Sequence, residues 1–174
     1  MKKFELTTEF ITNMFGKKLF RIKALVEFGN VKAGELGGYV EKEENVSQAD
    51  NAWVSGDAEV FGNAKVFDNA EVYGDAKVYG NARVSGDARV SGNAWVYGDA
   101  DYALVQGFGT EFRCTTFYRG KNKKIMVNCG CFHGDLEGFR KQVKETRNGK
   151  IAKEYLMIAD LMEYHFTSED SSDE

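Results

Sequence analysis

Residues 84–100 read VSGDARVSGNAWVYGDA, in which the order valine, glycine, aspartate or asparagine, alanine returns every six residues. Alanine and valine alternate with other residues inside each unit, which is the period-two pattern of a short strand. The Gly-Asp/Asn pair is a turn signal, because glycine adopts positive φ and Asx side chains bond nearby backbone groups. Asp68 replaces the glycine once. The six-residue spacing runs without a slip through nine alanines and eight valines: Ala52, Ala58, Ala64, Ala70, Ala76, Ala82, Ala88, Ala94 and Ala100, and Val54, Val60, Val66, Val72, Val78, Val84, Val90 and Val96.

A short strand and a tight corner, repeated without change, wind a chain into a coil. Three such units make a triangular turn of about eighteen residues, and successive turns stack at about 4.8 Å through backbone hydrogen bonds along the axis. Valine is expected to fill the interior, and alanine to lie where the wall leaves little room. The spacing therefore predicts a parallel β-helix of about three coils over residues 46–105.

The residues before the coil are predicted to cover its first end, because exposed strand edges invite aggregation. We interpret residues 1–45 as an N-terminal cap: LFRIKALVEF at 19–28 is typical of a strand, and GELGGYV at 34–40 offers glycine turns. Val46 precedes Val54 by eight residues rather than six, which indicates a two-residue expansion within SQADN at 47–51.

The residues after the coil carry a different pattern. Runs at 111–118 and 123–132 are typical of strands joined by a hairpin at RGKN, and Asp135 is a plausible N-cap for a helix. Residues 106–166 are thus predicted to form a ββαα unit, which makes the fold an all-β rod with an α+β end piece. TSEDSSDE at 167–174 is predicted to be a disordered acidic tail. Two helical stripes support the unit: Leu136, Phe139 and Val143, then Ile151, Tyr155, Ile158 and Met162.

The amino-acid composition is that of a soluble folded protein. Hydrophobic residues make up 43% and charged residues 29% of the chain, as in soluble folded proteins. The first ten residues lack the apolar run of a secretory signal, and no stretch approaches the roughly 18 apolar residues of a membrane span, so we expect a cytoplasmic protein. Three cysteines favour free thiols over a disulfide framework. The small positive surplus in 103–166 falls short of a nucleic-acid footprint, so that partner is not expected.

The coil over residues 40–102 resembles that of acyl- and acetyltransferases, which are usually trimers. The resemblance implies a histidine acting as general base on an acyl-CoA bound between neighbouring coils. No histidine occurs in that span, since both, His133 and His165, come later. An acyl-CoA-dependent hexapeptide-type acyltransferase is therefore kept as the alternative function.

A closer resemblance is to bacterial and bacteriophage hexapeptide-repeat proteins of unassigned activity, often labelled putative transferases. It is carried by residues 20–54 and, in the last third of the chain, by TTFYR, CGCF and KEYL. The resemblance implies a left-handed coil and a phage or mobile-element accessory protein. We accordingly expect a non-catalytic binding and assembly protein without a cofactor. Its expected partner is a host component in the bacterial cytoplasm, such as a defence protein or its small nucleotide signal.

The outward positions of one coil face place aromatic side chains in register. Stacked rings stabilise a parallel sheet, as cross-strand aromatic pairs do. Grouped on a flat exposed wall, they also form an apolar patch typical of an interface. Both interpretations stay open, with a homodimer or homotrimer as the simplest assembly. The candidate binding or interface residues are Phe61, Lys77, Tyr79, Trp95 and Tyr97.

The cysteines offer a weaker candidate site. If one strand continues through CGCFH at 129–133, Cys129, Cys131 and His133 lie on one side of it. With Cys114 they supply four ligands, three sulfurs and one nitrogen, that suit zinc, although a single residue between two cysteines is less than zinc sites favour. Core packing of free thiols and a nucleophilic cysteine with His133 as base are the other interpretations. No catalytic residue and no metal is assigned.

Overall fold

The six-residue repeat folds into a parallel β-solenoid of about three turns. Strands eighteen residues apart pair in parallel register, so that Val54 pairs with Val72 and Val72 with Val90. The strands form three walls, β4-β7-β10, β5-β8-β11 and β6-β9. Each is two residues long: β4 (Trp53–Val54), β5 (Glu59–Val60), β6 (Lys65–Val66), β7 (Glu71–Val72), β8 (Lys77–Val78), β9 (Arg83–Val84), β10 (Arg89–Val90) and β11 (Trp95–Val96).

The chain divides into two compact units, Met1–Asp99 and Ala100–Glu174, called here the solenoid unit and the C-terminal unit. The computed structural model describes residues 1–98 and 101–167. Ala100, the last alanine of the repeat, and residues 168–174 of the predicted acidic tail lie outside the described residues.

Valine and alanine form the interior of the solenoid, as their spacing predicts. The valines from 54 to 96 are fully buried, and the alanines from 52 to 94 expose at most 1% of their surface. Backbone hydrogen bonds join the turns along the axis; Trp53 N donates to Ala70 O at 3.0 Å, and Glu59 N donates to Ala76 O at 2.9 Å. Each residue is thus held between equivalent residues of the turns before and after it.

The corners turn on residues with positive φ. Asp68 takes the corner position without glycine and has φ of 57°. Its carboxylate accepts a hydrogen bond from Gly86 N, one turn further on, at 3.0 Å, which offsets the cost of a left-handed conformation at a residue with a side chain. Six glycines at this position have φ between 60° and 71°: Gly56, Gly62, Gly74, Gly80, Gly86 and Gly92.

The first turn is two residues longer than the later ones. Val40 pairs with Val60, and Val46 with Val66, each twenty residues on. Trp53 pairs with Glu71, only eighteen residues on. The two extra residues therefore lie between Val46 and Trp53, which confirms the expansion predicted in SQADN.

The buried Lys3 fastens the N-terminus to this expansion. Its Nζ donates to the carbonyl oxygens of Ala49 at 3.2 Å, Asp50 at 3.3 Å and Ala52 at 2.8 Å. Gln48 binds the same N-terminal segment, because its Oε1 accepts a hydrogen bond from Lys3 N at 2.8 Å. Burial lowers the pKa of the Lys3 ammonium from 10.5 to about 8, and the charge of Asp50 opposes this shift. The expansion thus supplies carbonyls for a cation that immediately precedes the first strand.

The N-terminal segment extends one wall of the solenoid. Its strands are β1 (Phe4–Thr12), β2 (Lys18–Ala24) and β3 (Leu36–Val40), and a 3₁₀ turn follows at Glu43–Asn45. β1 and β2 form an antiparallel hairpin, and the sheet order is β1-β2-β3-β5-β8-β11. Gly37 and Gly38 lie within β3 rather than in the predicted turn. A Cβ at Gly37 would meet Val54 O at 2.6 Å, so close packing, not bending, requires glycine there.

The C-terminal unit has four antiparallel strands and two helices, hence two more strands than predicted. The elements are β12 (Tyr102–Val105), β13 (Thr115–Arg119), β14 (Ile125–Cys129), β15 (Phe132–Asp135), α1 (Leu136–Thr146) and α2 (Gly149–Thr167). β12 pairs antiparallel with β13, so residues 102–105, which were predicted as the end of the coil, belong to this sheet. Gly130, with φ of 60°, reverses the chain between β14 and β15, which divides the run predicted as one strand. Thr167 ends α2 instead of starting the tail.

Helices α1 and α2 pack on one face of this sheet. Asp135 Oδ1 accepts a hydrogen bond from Gly138 N at 2.8 Å, which confirms the predicted N-cap of α1. The core contains the side chains of both predicted stripes and of the sheet: Phe117, Val127, Leu136, Phe139, Val143, Tyr155, Ile158, Ala159, Met162 and Phe166, with Ile151 packed against it.

Replacing Gly37 by alanine is expected to destabilise the solenoid unit by about 2 kcal/mol, since the new methyl must displace the Val54 carbonyl. Urea denaturation followed by tryptophan fluorescence measures this, because Trp53 and Trp95 both lie in that unit. Gly98→Ala is the control, since a Cβ there meets nothing within 4 Å. Equal midpoints for the two variants would contradict the packing argument.

Lys3→Met is expected to become more destabilising, relative to the wild type, as pH rises from about 8 to 10.5. In this range the unfolded chain keeps the Lys3 proton while the folded chain has lost it, so the free energy of unfolding of the wild type rises with pH. Urea denaturation of both proteins at several pH values measures the difference. Lys2→Met, which removes an exposed ammonium, controls for the loss of charge. A pH-independent difference for Lys3→Met would refute the burial of this cation.

Candidate functional site

The aromatic rows predicted on one wall of the solenoid are present. Phe61 and Tyr79 stack one turn apart, with ring centroids at 5.0 Å and planes 8° apart. Tyr79 also meets Tyr97 at 5.2 Å and Trp95 at 6.4 Å, both edge to face. The parallel register thus brings four of the candidate residues into one cluster.

The chain's own hairpin lies over part of these rows. Phe15, in the turn between β1 and β2, contacts Phe61 at 5.5 Å, Tyr79 at 5.2 Å and Trp95 at 6.2 Å between ring centroids. Leu19 of β2 packs against Phe61 in the same cluster. Part of the aromatic face therefore serves intramolecular packing, and Phe61 is buried where no partner can reach it.

Sequence reasoning missed this hairpin, although a turn signal was present in NMFGK at 13–17. Asn13 Oδ1 accepts hydrogen bonds from Phe15 N and Lys17 N, each at 3.0 Å. Gly16 completes the turn with φ of 73°. An asparagine followed by glycine between two strand-like runs is a hairpin signal. What no local pattern indicated is that Phe15 would pack on residues 46 to 80 positions later in the chain.

The exposed remainder of the cluster forms a small apolar patch. Tyr97 is 62% exposed, Phe15 is 45% exposed and Met14 is 68% exposed. Tyr79 and Trp95 are half-buried beside them. These five residues are called the hairpin-tip patch. Three of them were sequence candidates, and Met14 and Phe15 are additions from the structure.

Lys77, the basic candidate residue, is engaged within the protein. Its Nζ forms an ion pair with Glu59 Oε1 one turn away, and both side chains are largely buried. Asn13 Nδ2 donates to the other carboxylate oxygen of Glu59 at 3.1 Å. Lys77 therefore balances a buried carboxylate beneath the hairpin, and its charge is not offered to a ligand.

A second polar contact fastens the base of the hairpin turn. Glu41 Oε1 forms an ion pair with Lys17 Nζ at 3.1 Å, and Glu41 Oε2 accepts from Gly62 N at 2.7 Å. The hydrogen bond from Gly62 holds the pKa of Glu41 below its usual value, and Lys17 adds to the shift. The turn that carries Met14 and Phe15 is thus bound to the wall on both sides.

The structure separates the cysteines from the histidine. Cys129 Sγ accepts a hydrogen bond from Thr115 Oγ1 at 3.0 Å and packs against the helix-facing core of the sheet. His133 Nδ1 lies 2.6 Å from Asn128 Oδ1, its cross-strand neighbour. Asn128 precedes Cys129 in β14, so the imidazole lies on the opposite face of the sheet from the thiol. The reversal at Gly130 accounts for this, because it breaks the strand on which a Cys129–His133 dyad depended.

The remaining cysteines do not complete a site. Cys131 is exposed in the reversal, and half-buried Cys114 precedes β13. Among residues 1–98 and 101–167, no group of three or more His, Cys, Asp or Glu is placed to hold a metal ion. The described helices include none long and apolar enough to cross a membrane.

Comparison with known proteins agrees with the fold. The family model described as YdcK Beta solenoid repeat matches residues 76–90 and 82–98. The six-residue repeat of this chain is therefore similar to the repeat of that family. Both matches lie within the last turns described above, so the likeness concerns the coil. No curated protein matches the chain.

Lys77→Met is expected to destabilise the solenoid unit by about 3 kcal/mol, because it leaves the Glu59 carboxylate buried without its cation. The double variant Glu59→Leu/Lys77→Met is expected to recover most of this loss, since no buried charge remains. Urea denaturation of the wild type, both single variants and the double variant measures the coupling. If Lys77→Met and the wild type have equal stability, Lys77 is not the structural cation that its contacts indicate.

Proposed function

We propose that the protein is a non-catalytic binding protein whose contact surface is the hairpin-tip patch. The observation that carries the proposal is the exposure of Tyr97 on the wall and of Met14 and Phe15 in the turn that lies over the same aromatic rows. Grouped exposed aromatic side chains are typical of the centre of protein interfaces, where they supply much of the binding energy. Rigid walls and a fastened turn lower the cost of ordering these side chains on binding.

A protein partner fits this patch better than a nucleotide. Recognition of a nucleotide needs cations for its phosphates as well as rings for its base. Lys77 beside the rings is neutralised by Glu59, and Lys17 of the hairpin turn is paired with Glu41. We therefore favour a partner that offers an apolar pocket or groove to Tyr97 and Met14.

The proposed origin of the partner rests on the resemblance of this chain to a group of repeat proteins. The likeness to hexapeptide-repeat proteins of bacteria and bacteriophages supports an accessory protein of a phage or mobile element that acts in the bacterial cytoplasm. Such a protein engages a component of the host, and a defence protein is the partner that we propose. An acyltransferase that binds acyl-CoA between coils is the alternative, and it requires a base other than histidine on the repeat.

Tyr97→Lys is expected to abolish partner binding while leaving the fold intact, because most of this side chain is exposed. Tagged wild type and variant are used to enrich proteins from a bacterial host, with quantitative mass spectrometry. Tyr73→Lys, which places the same charge on another wall, is the matched control. Each protein that the wild type and Tyr73→Lys enrich but Tyr97→Lys does not is then purified. The Kd of its complex is expected to be at least about tenfold higher with Tyr97→Lys than with the wild type.

Two outcomes would contradict the proposal. The first is that every protein enriched by the wild type binds the Tyr97→Lys variant equally well in purified form. The second is that native mass spectrometry finds acyl-CoA or a nucleotide retained by the wild type at full occupancy. An acyl-CoA would favour the transferase, and a nucleotide would favour capture of a small signal.

A further inference from the structure

Two arginines of the C-terminal unit have no carboxylate partner in the described part of the chain. Arg113 lies just before β13 and Arg147 just after α1, and both are exposed. No acidic side chain among residues 1–98 and 101–167 forms an ion pair with either guanidinium. Both charges are therefore available to an anion from outside the chain. Other described arginines do form ion pairs with acidic side chains: Arg21, Arg89, Arg119 and Arg140.

The guanidinium of Arg113 lies against the turn between β14 and β15. A Cβ at Gly130 would meet Arg113 Nη1 at 2.6 Å and Arg113 Cζ at 3.6 Å. A side chain at position 130 would thus displace the guanidinium, and the positive φ of Gly130 also favours glycine there. The glycine of the CGCF sequence therefore determines where the charge of Arg113 is presented.

The charge of Arg147 acts on the same place, the hydroxyl of Tyr155 in α2. Burial raises the pKa of this hydroxyl above its usual value, and the charges of Arg147 and Arg113 both oppose the shift. Because Coulomb interactions weaken with distance, two charges that act on one hydroxyl both lie near it. Arg147 Nη1 also donates a hydrogen bond to Thr146 O at 3.2 Å, which limits the motion of the side chain. The two guanidiniums thus flank one region of the C-terminal unit.

The loop between β12 and β13 passes over this hydroxyl. Tyr155 Oη donates a hydrogen bond to Phe108 O at 3.1 Å, and a Cβ at Gly109 would lie 2.5 Å from the same oxygen. Among the residues that the structure describes, no backbone N–H of residues 107–113 donates to a protein acceptor. Backbone N–H groups that have no protein acceptor bind water or a ligand. The loop therefore offers hydrogen-bond donors beside the two cations.

Phe112, immediately before Arg113, presents an aromatic ring next to the same cations. Its side chain is 65% exposed, and its backbone has φ of 49°. A bulky residue seldom adopts positive φ, and backbone strain of this kind clusters at ligand-binding positions. Phe108 of the same loop is 36% exposed. An aromatic group of a ligand has a surface here on which it can stack.

We propose that Arg113 and Arg147 bind the phosphate of a phosphate monoester whose ester group is aromatic, and that this group packs on Phe112. A phosphate monoester carries about two negative charges at neutral pH and three strong acceptor oxygens. These match two guanidiniums and the N–H groups of the loop, whereas a carboxylate offers a single charge. Two sources supply this chemistry, a free nucleoside monophosphate and a phosphotyrosine side chain of a protein.

The phosphate site is separate from the hairpin-tip patch, and the proposal does not rest on the proposed function. Two exposed charge-assisted contacts and one stacked ring are expected to give a Kd on the order of 100 µM. A ligand held this weakly is lost during purification. Its binding therefore leaves the proposal of a protein partner unaffected.

Isothermal titration calorimetry of the full chain with phenyl phosphate tests the site, because this probe carries both the phosphate and the ring. Arg113→Gln and Arg147→Gln are each expected to raise the Kd at least about tenfold, since each removes a charge-assisted contact. Lys123→Gln removes an exposed cation at the opposite end of β13 and β14, so it is the matched control and is expected to bind like the wild type. Circular dichroism verifies that the variants stay folded.

Two further titrations test the ring and the source of the ligand. Phe112→Ala is expected to weaken binding of phenyl phosphate at least about threefold and to leave binding of inorganic phosphate unchanged. Adenosine 5′-monophosphate and a phosphotyrosine peptide are then compared with phenyl phosphate. Tighter binding of the first would assign the site to a free nucleotide, and tighter binding of the second to a modified protein.

Four results would overturn the proposal or a part of it. A wild type that shows no binding of phenyl phosphate up to about 5 mM would exclude the site. Arginine variants that bind the probe like the wild type would exclude these two cations. An equal loss with Lys123→Gln would reduce the binding to nonspecific attraction by the charge of the unit. A Phe112→Ala variant that binds phenyl phosphate like the wild type would exclude the role of the ring.

Discussion

The eighteen-residue register between turns is the constraint on which the rest of the solenoid depends. Parallel pairing of Val54, Val72 and Val90 sets it, and backbone bonds such as Trp53 N to Ala70 O hold it along the axis. Since valine fills the interior at every turn, a slip would carry polar outward residues inside. Outward side chains at equivalent positions therefore lie above one another from turn to turn, which produces the stacked rings of Phe61 and Tyr79.

The wall formed by β5, β8 and β11 shows how this register supports a surface that no single turn contains. Phe61, Tyr79 and Tyr97 come from three successive turns and align only because the turns do. Phe15 then covers part of the row from outside. A ladder of rings on a flat wall stabilises the sheet, and the hairpin covers Phe61 while it leaves Tyr97 exposed.

Sequence periodicity predicted the coil, its interior and its first-turn expansion, because each depends on spacing that repeats or visibly fails to repeat. It did not predict that Phe15 contacts residues far along the chain, since that contact arises from a hairpin whose direction is set by tertiary packing. The division of 123–132 into two strands was missed because one residue, Gly130, determines it. The ion pair of Lys77 and Glu59 was missed as well, although their eighteen-residue separation already placed them on neighbouring turns.

A corner of the solenoid shows a further property of this architecture. Asn51 Nδ2 donates to Asn69 at 3.0 Å, and Asn69 Nδ2 donates to Asp87 at 3.0 Å, so one ladder of side chains links three turns. Every link in it is local to adjacent turns, as are the interior contacts of the valines. Duplication or loss of one whole eighteen-residue segment would therefore preserve the valine interior and the backbone hydrogen bonds between turns while altering the length of the solenoid by about 4.8 Å. The length of such a solenoid can thus change in steps of one turn.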